Sequence, residues 1–187
     1  NIGKTILATY GDEDVRVRAR ARAAAASDAR MGGCESPVII VAGSGNQGIT
    51  ASIPVIEYAK ELDSSHEMVY RALVLSSLIT IHQKASIGKL SAFCGAVSAG
   101  VGSGAAIAYL HGGKYPEISH TIVNSLAILS GMVCDGAKPS CAAKIAASVD
   151  AGIFGYEMYR NGQQFYNGDG LVAAAGEATI ANIGRLG

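Results

Sequence analysis

Residues 90–113 read LSAFCGAVSAGVGSGAAIAYLHGG, a stretch without aspartate, glutamate, lysine or arginine. Stretches 37–56 and 118–134 share that property. On length alone each is a candidate membrane span. Their hydrophobicity is largely alanine and glycine, which contribute little insertion energy, and burying their polar groups in lipid would offset it. Asn46, Gln47, Pro54, Ser98, Ser103, His111, His120 and Asn124 all lie inside them. The expectation is the buried interior of a helical protein with no membrane partner. Residues 90–110 then form one closely packed helix or two short ones.

The rest of the composition agrees. A chain of 187 residues supports one domain with a sizeable core. Fifteen basic and fifteen acidic residues cancel, which argues against a broad phosphate-binding surface and hence against nucleic acid. There are 24 glycines and no tryptophan, so helices approach closely and aromatic packing is modest. No basic–apolar–small leader pattern opens the chain, and Asn1 is not an initiator methionine, so a fragment or processed product is expected. Four cysteines without an export signal point to a reducing, cytoplasmic compartment, where thiols serve metals or chemistry.

Working outward, residues 12–31 are alanine-rich and read as helix, although 15–22 alternates apolar and basic residues as an exposed strand would. Arg16, Arg18, Arg20 and Arg22 read as a solvated face. A helix is expected over 48–62, kinked near Pro54. Ser64 and Glu67 have capping-box spacing ahead of a helix reaching about residue 85. Pro116 suits the first turn of a helix ending near Gly131, and Pro139 opens another that stops at Gly152. A last helix covers about 171–183. The fold class is mostly α: a single compact helical domain, residues 1–187, with glycine-rich loops.

Cys94 precedes Cys134 by 40 positions, and Cys141 follows seven later. No C-x-x-C pair occurs, so this is not a zinc ribbon. Cys141 falls in the first turn after Pro139, where peptide N–H groups and the helix dipole favour a thiolate. Gly95, Gly131 and Gly136 flank the thiols and leave room for a bulky inorganic group, with Lys138 and Lys144 available to offset negative charge. By spacing alone the same residues are more readily small buried hydrophobes. Cys34 sits in a separate glycine-rich turn.

Gly43-Ser44-Gly45-Asn46-Gln47-Gly48 precedes a helix and offers N–H groups to an anion. It matches neither the dinucleotide spacing nor a P-loop, so a carboxylate suits it better than a pyrophosphate. A tight capped turn accounts for it equally well.

Phe93-Cys94-Gly95-Ala96-Val97-Ser98-Ala99-Gly100, the run from Ser130 through Cys134 to Lys138, and Ser140-Cys141-Ala142-Ala143-Lys144 resemble the L-cysteine desulfidase family, which is related to the iron–sulfur L-serine dehydratases through their α-chain catalytic domain. The 43–48 loop and the closing Thr179-Ile180-Ala181-Asn182-Ile183-Gly184-Arg185 look like its motifs too. The likeness extends from about residue 28 onward. It implies an all-α catalytic domain whose oxygen-sensitive [4Fe-4S] cluster is held by Cys94, Cys134 and Cys141, with one iron open to substrate as a Lewis acid. The implied reaction is β-elimination from a small L-amino acid, most directly L-cysteine to pyruvate, ammonia and sulfide. Ser44, Gly45, Asn46 and Gln47 are the candidates for gripping the substrate carboxylate, with Lys138 behind them. The short Cys134–Cys141 interval resembles the desulfidase branch, since serine dehydratases have a longer one and usually carry a cysteine in the loop corresponding to 43–48.

Members of that family are roughly twice as long as this chain. The missing N-terminal portion of the same protein is therefore an expected partner and a source of active-site residues, with a second copy of the chain as another. His82, Lys84, His111 and His120 each read as structural residues, so no general base is assigned. The alternatives are an L-serine dehydratase, a non-catalytic iron–sulfur or redox-sensing domain with Cys34 as fourth ligand, and a structural domain whose cysteines only pack.

Overall fold

The computed structural model describes residues 1–88 and 91–187. It contains α1 (Ile2–Tyr10), α2 (Val15–Met31), α3 (Gly45–Glu61), α4 (His66–Ile87), α5 (Gly95–Leu110), α6 (Tyr115–Ile128), α7 (Cys141–Arg160) and α8 (Gly176–Leu186), and no strand among the described residues. The mostly-α expectation holds. No described helix is long and apolar enough to cross a membrane.

The charge-free stretch forms one helix, α5, rather than two. Leu90, where the expected segment begins, lies outside the described residues. Apart from Gly95 and Tyr109, every residue of α5 is buried, because α3, α4, α6 and α7 surround it. A helix enclosed on all sides has no need of a polar face. It needs small residues instead. Gly100 and Gly104, one turn apart, meet Gly152 of α7. A Cβ on Gly104 would lie 2.8 Å from the Gly152 Cα, and a Cβ on Gly152 would overlap the Gly100 carbonyl oxygen. Gly102 faces α4, where a Cβ would come within 2.5 Å of the Ser76 carbonyl oxygen and the Thr80 hydroxyl.

Two apolar groups flank α5. One joins α2, α3, α4, α5 and α7 through residues such as Ala23, Val55, Ala72, Ile107 and Ile145. The other joins α5, α6 and α8 through Val101, Leu126, Ile180 and Ile183. Buried hydroxyls inside the charge-free stretches bond to carbonyls of their own helices. Ser103 donates to Gly100 O at 2.9 Å, and Ser125 donates to Thr121 O at 2.6 Å. Asn124 is fully buried, donates to Gly155 O at 3.0 Å and accepts from Phe165 N–H at 3.1 Å, which ties the 161–175 loop to the helices.

Several boundaries differ from the expectation. α3 begins at Gly45, so four of the six residues of the supposed 43–48 loop are the first turn of a helix. Pro54 is accommodated within α3. The cap of α4 is Ser65, not Ser64, with its hydroxyl accepting from Met68 N–H at 3.3 Å. α7 runs eight residues beyond Gly152, because that glycine is there for close approach rather than termination. α8 starts five residues after the expected 171. In α2 the helix reading prevails over the strand. Its arginines pair across the structure: Arg18 with Glu61, Arg20 with Asp150 at 3.0 Å, and Arg22 with the buried Glu57 at 2.6 Å. Such partly exposed pairs add little stability individually but fix which face of α2 turns outward.

The α5–α7 contact yields a direct expectation. Gly152→Ala lowers the unfolding free energy by about 2 kcal/mol, because backbone on both sides must move to admit one methyl. A urea midpoint shifted downward with an unchanged slope is the expected reading. An unchanged midpoint would mean that the helices separate there without cost.

Candidate active site

Three helices begin at one cavity of about 340 Å³. Its lining includes Ser44, Asn46 and Gln47 at the start of α3, Cys94, Gly95 and Ala96 at the start of α5, and Cys141 at the start of α7. None of these three starts has a side-chain hydrogen-bond cap or an acidic residue in its first turn. By contrast, α4 has the Ser65 cap and Glu67 in its first turn, and in α6 the first-turn Glu117 accepts from Lys114 N–H at 2.6 Å. Uncapped N-termini leave N–H groups and partial positive charge available to whatever occupies the cavity.

The three cysteines expected to act together line this cavity, although they come from separate segments. A short antiparallel pairing of 92–94 with 132–134 brings two of them together. Cys94 N–H donates to Met132 O at 2.6 Å, and Cys134 N–H donates to Ala92 O at 2.7 Å, around a Phe93–Val133 bridge. A Cβ on Gly131 would strike the Phe93 ring at 2.8 Å, so this glycine serves the pairing. Cys141 is buried, and its sulfur accepts from Lys138 N–H at 3.4 Å. Cys134 is exposed and Cys94 half-buried. Burial, and then the neighbouring Cys134 and Cys141, push the Cys94 thiol up, while the Ala96 N–H pulls it the other way. Among the described residues no three His, Cys, Asp or Glu side chains converge as they would on a single metal ion.

The other expected residues separate. Gly45 begins α3 beside Arg30, whose Nε would lie 2.8 Å from a Cβ at that position. Lys138 is exposed, in the turn before α7, and outside the cavity lining. Lys144 is engaged locally, paired with Asp135 and donating to Val133 O at 3.0 Å. Cys34 is exposed in a different groove, against Pro37, Val38 and Ile53. Of the four candidate bases, His82 pairs with Glu177 at 2.9 Å. His111 stacks on Tyr156 with ring centres 5.2 Å apart, and burial holds its imidazole below the usual range. His120 stacks on Tyr159 at 4.8 Å. Lys84 alone of the four lines the cavity.

Arg30 is the functional candidate that sequence reasoning missed. It comes from the end of α2, donates to Asn46 Oδ1 at 3.2 Å, and lines the cavity with Lys84, which is buried. Neither cation has a carboxylate partner among the described residues. No local pattern marks Arg30, since its role depends on α2 ending beside the start of α3.

The family model described as serine dehydratase alpha chain matches residues 1–187. A UPF0597 protein of Desulfitobacterium hafniense is 70% identical over 187 residues, which is all of this chain and 43% of that protein. A UPF0597 protein of Lachnoclostridium phytofermentans is 56% identical over 186 residues, covering 100% of this chain and 44% of the relative. One from Treponema denticola is 52% identical over 186 residues, covering 97% and 43%. The chain thus spans less than half the length of these curated relatives. No solved structure matches it.

The thiols differ enough in environment to be told apart chemically. Cys34 is exposed, and a hydrogen bond with Ser36 holds its thiol below the usual range, whereas burial raises Cys94. With limiting iodoacetamide near neutral pH and peptide mapping, Cys34 is carboxamidomethylated first and Cys94 more than about tenfold more slowly, because the thiolate is the nucleophile. Equal rates at the two sites would contradict the structure.

Proposed function

We propose, from the premise that the chain belongs to the serine dehydratase alpha chain family, that it carries the cluster-binding core of a lyase acting on a small L-amino acid by β-elimination. The observation that carries this reading is the meeting of Cys94, Cys134 and Cys141 at one cavity with three uncapped helix starts. A polynuclear iron–sulfur cluster keeps its thiolates farther apart than a single ion does, so a cavity with thiols spread around it suits the cluster better than mononuclear metal. Gly136 adds no side chain to that space, and Gly95 leaves its share of it to the Gln47 carboxamide. These residues fit a [4Fe-4S] group, which would supply Lewis-acid polarisation of the substrate.

The remaining chemistry belongs to the chain. Arg30 and Lys84 offer positive charge with no carboxylate partner among the described residues, as a substrate carboxylate requires. Ser44 and the N–H groups at the start of α3 stand on the same wall. The Phe93–Val133 pairing holds the Cys94 and Cys134 segments in register, so two thiols are positioned before any cluster binds. L-cysteine is the proposed substrate, supported by the seven-residue Cys134–Cys141 interval and by the absence of cysteine from 43–48. L-serine is the second reading, and the family description favours it.

The test is anaerobic reconstitution of the full-length protein, with iron and sulfide analysis alongside pyruvate release from L-cysteine and L-serine. Bound iron and inorganic sulfide, with faster turnover of L-cysteine, are expected. Cys94→Ala or Cys141→Ala removes both the visible charge-transfer absorption and turnover. Full-length protein that takes up no iron would rule the reading out. The pH dependence has a definite sign. Thiolates bind the iron, and Cys94 holds its proton more tightly than an ordinary thiol, so cluster uptake falls as the pH is lowered from about 8 to about 6.5.

A further inference from the structure

The cavity is rich in donors and positive charge: Arg30, Lys84 and three helix starts. Its side-chain acceptors are mostly in use. Asn46 Oδ1 accepts from Arg30 and, at 3.4 Å, from Ser27, while Ser91 Oγ accepts from Phe93 N–H at 2.8 Å. Between the two carboxamides of the lining, Gln47 is the one left unpaired at its oxygen. Its side chain is 7% exposed, and its Oε1 is buried without any donor among the described residues.

The carboxamide is held in place from two sides. Its Nε2 donates to Ala42 O at 3.5 Å. The flat group as a whole lies against Gly95, where a Cβ would come within 2.6 Å of Oε1 and 2.5 Å of Nε2. Only glycine at the residue after Cys94 leaves that space to Gln47. A buried carbonyl oxygen without a donor is unfavourable unless a ligand supplies one. The donor must also tolerate a positively charged surrounding. An α-ammonium group has three N–H donors and no acceptor, and without a carbonyl to receive it this cavity would repel it.

We infer that Gln47 Oε1 receives the α-ammonium group of the ligand while Arg30 and Lys84 take its carboxylate, so that the cavity selects α-amino acids over carboxylic acids lacking the amino group. Gln47 is then a specificity-determining residue of the site. The inference rests on the reading that this cavity holds a small amino acid, and it assigns the two ends of that ligand.

The test compares L-alanine with propionate by NMR-monitored anaerobic titration of the full-length protein. The two share a carboxylate and differ in the ammonium group, and neither has a β leaving group, so binding is read without turnover. The unsubstituted protein should prefer L-alanine by about tenfold or more, as a charge-assisted hydrogen bond to a buried acceptor implies. Gln47→Met keeps the length and removes the acceptor. Its preference should fall to about one, with propionate affinity kept within about twofold. Gln47→Glu should keep or increase the preference for L-alanine, and it decides the matter if the methionine variant does not fold. Arg30→Met should weaken both ligands together. A preference that persists in Gln47→Met, a loss of preference in Gln47→Glu, equal binding of both ligands, or binding of neither by the unsubstituted protein would each overturn the inference. Pyruvate release together with an unaltered Gln47→Met preference would remove this assignment alone. An intact L-alanine preference without pyruvate release would remove only the lyase reading.

Discussion

The backbone contact between α5 and α7 is the constraint from which the rest of the architecture follows. Gly100, Gly104 and Gly152 let the two helices meet without intervening side chains, and Gly102 does the same toward α4. Interiors are close-packed, so added volume at such a point displaces main chain rather than a rotamer. Because α5 is surrounded by four helices, its position sets theirs. Its first turn carries Cys94 and Gly95 to the cavity, and its partner α7 delivers Cys141 to the same place. The site is therefore built at the ends of packed helices, with only the Cys134 segment attached through a short two-strand pairing.

The electrostatics of the site differ from those of the surface. Outside, the arginines of α2 pair with Glu61, Asp150 and Glu57, and His82 pairs with Glu177. At the cavity, Arg30 and Lys84 have no such partners among the described residues, and the helix starts have neither caps nor acidic first turns. Stability alone favours caps and first-turn carboxylates. Ser65 and Glu67 fill these places in α4 and Glu117 in α6, whereas the three cavity-facing starts, like that of α1, lack them.

Much of this was legible in the sequence because the signals were local. Charge-free runs of alanine and glycine with buried polar residues indicated helices in a protein interior, and α3, α5 and α6 bear that reading out. The cysteine motifs with their flanking glycines were recognisable as a resemblance, and the family match supports its serine dehydratase side. What stayed hidden depends on tertiary geometry. Gly152 has the look of a stop signal, but its meaning lies in Gly100 and Gly104 on another helix. Adjacent Ser64 and Ser65 compete for one cap, and only the entry direction of the chain selects the second. Arg30 and Lys84 stand 54 positions apart and become a pair only because both line one cavity.

The three convergent helix starts also bear on how the protein meets ions in solution. With 15 basic and 15 acidic residues this chain has no formal net charge, and so no net monopole to draw anions toward it. Its attraction for an anion begins only at the mouth of the cavity. Salt at physiological strength has a screening length of about 8 Å, which suppresses attraction between well-separated surface charges but reaches poorly into a partly enclosed cavity. For this chain, then, attraction of an anion into the cavity would be a short-range effect, only weakly dependent on ionic strength.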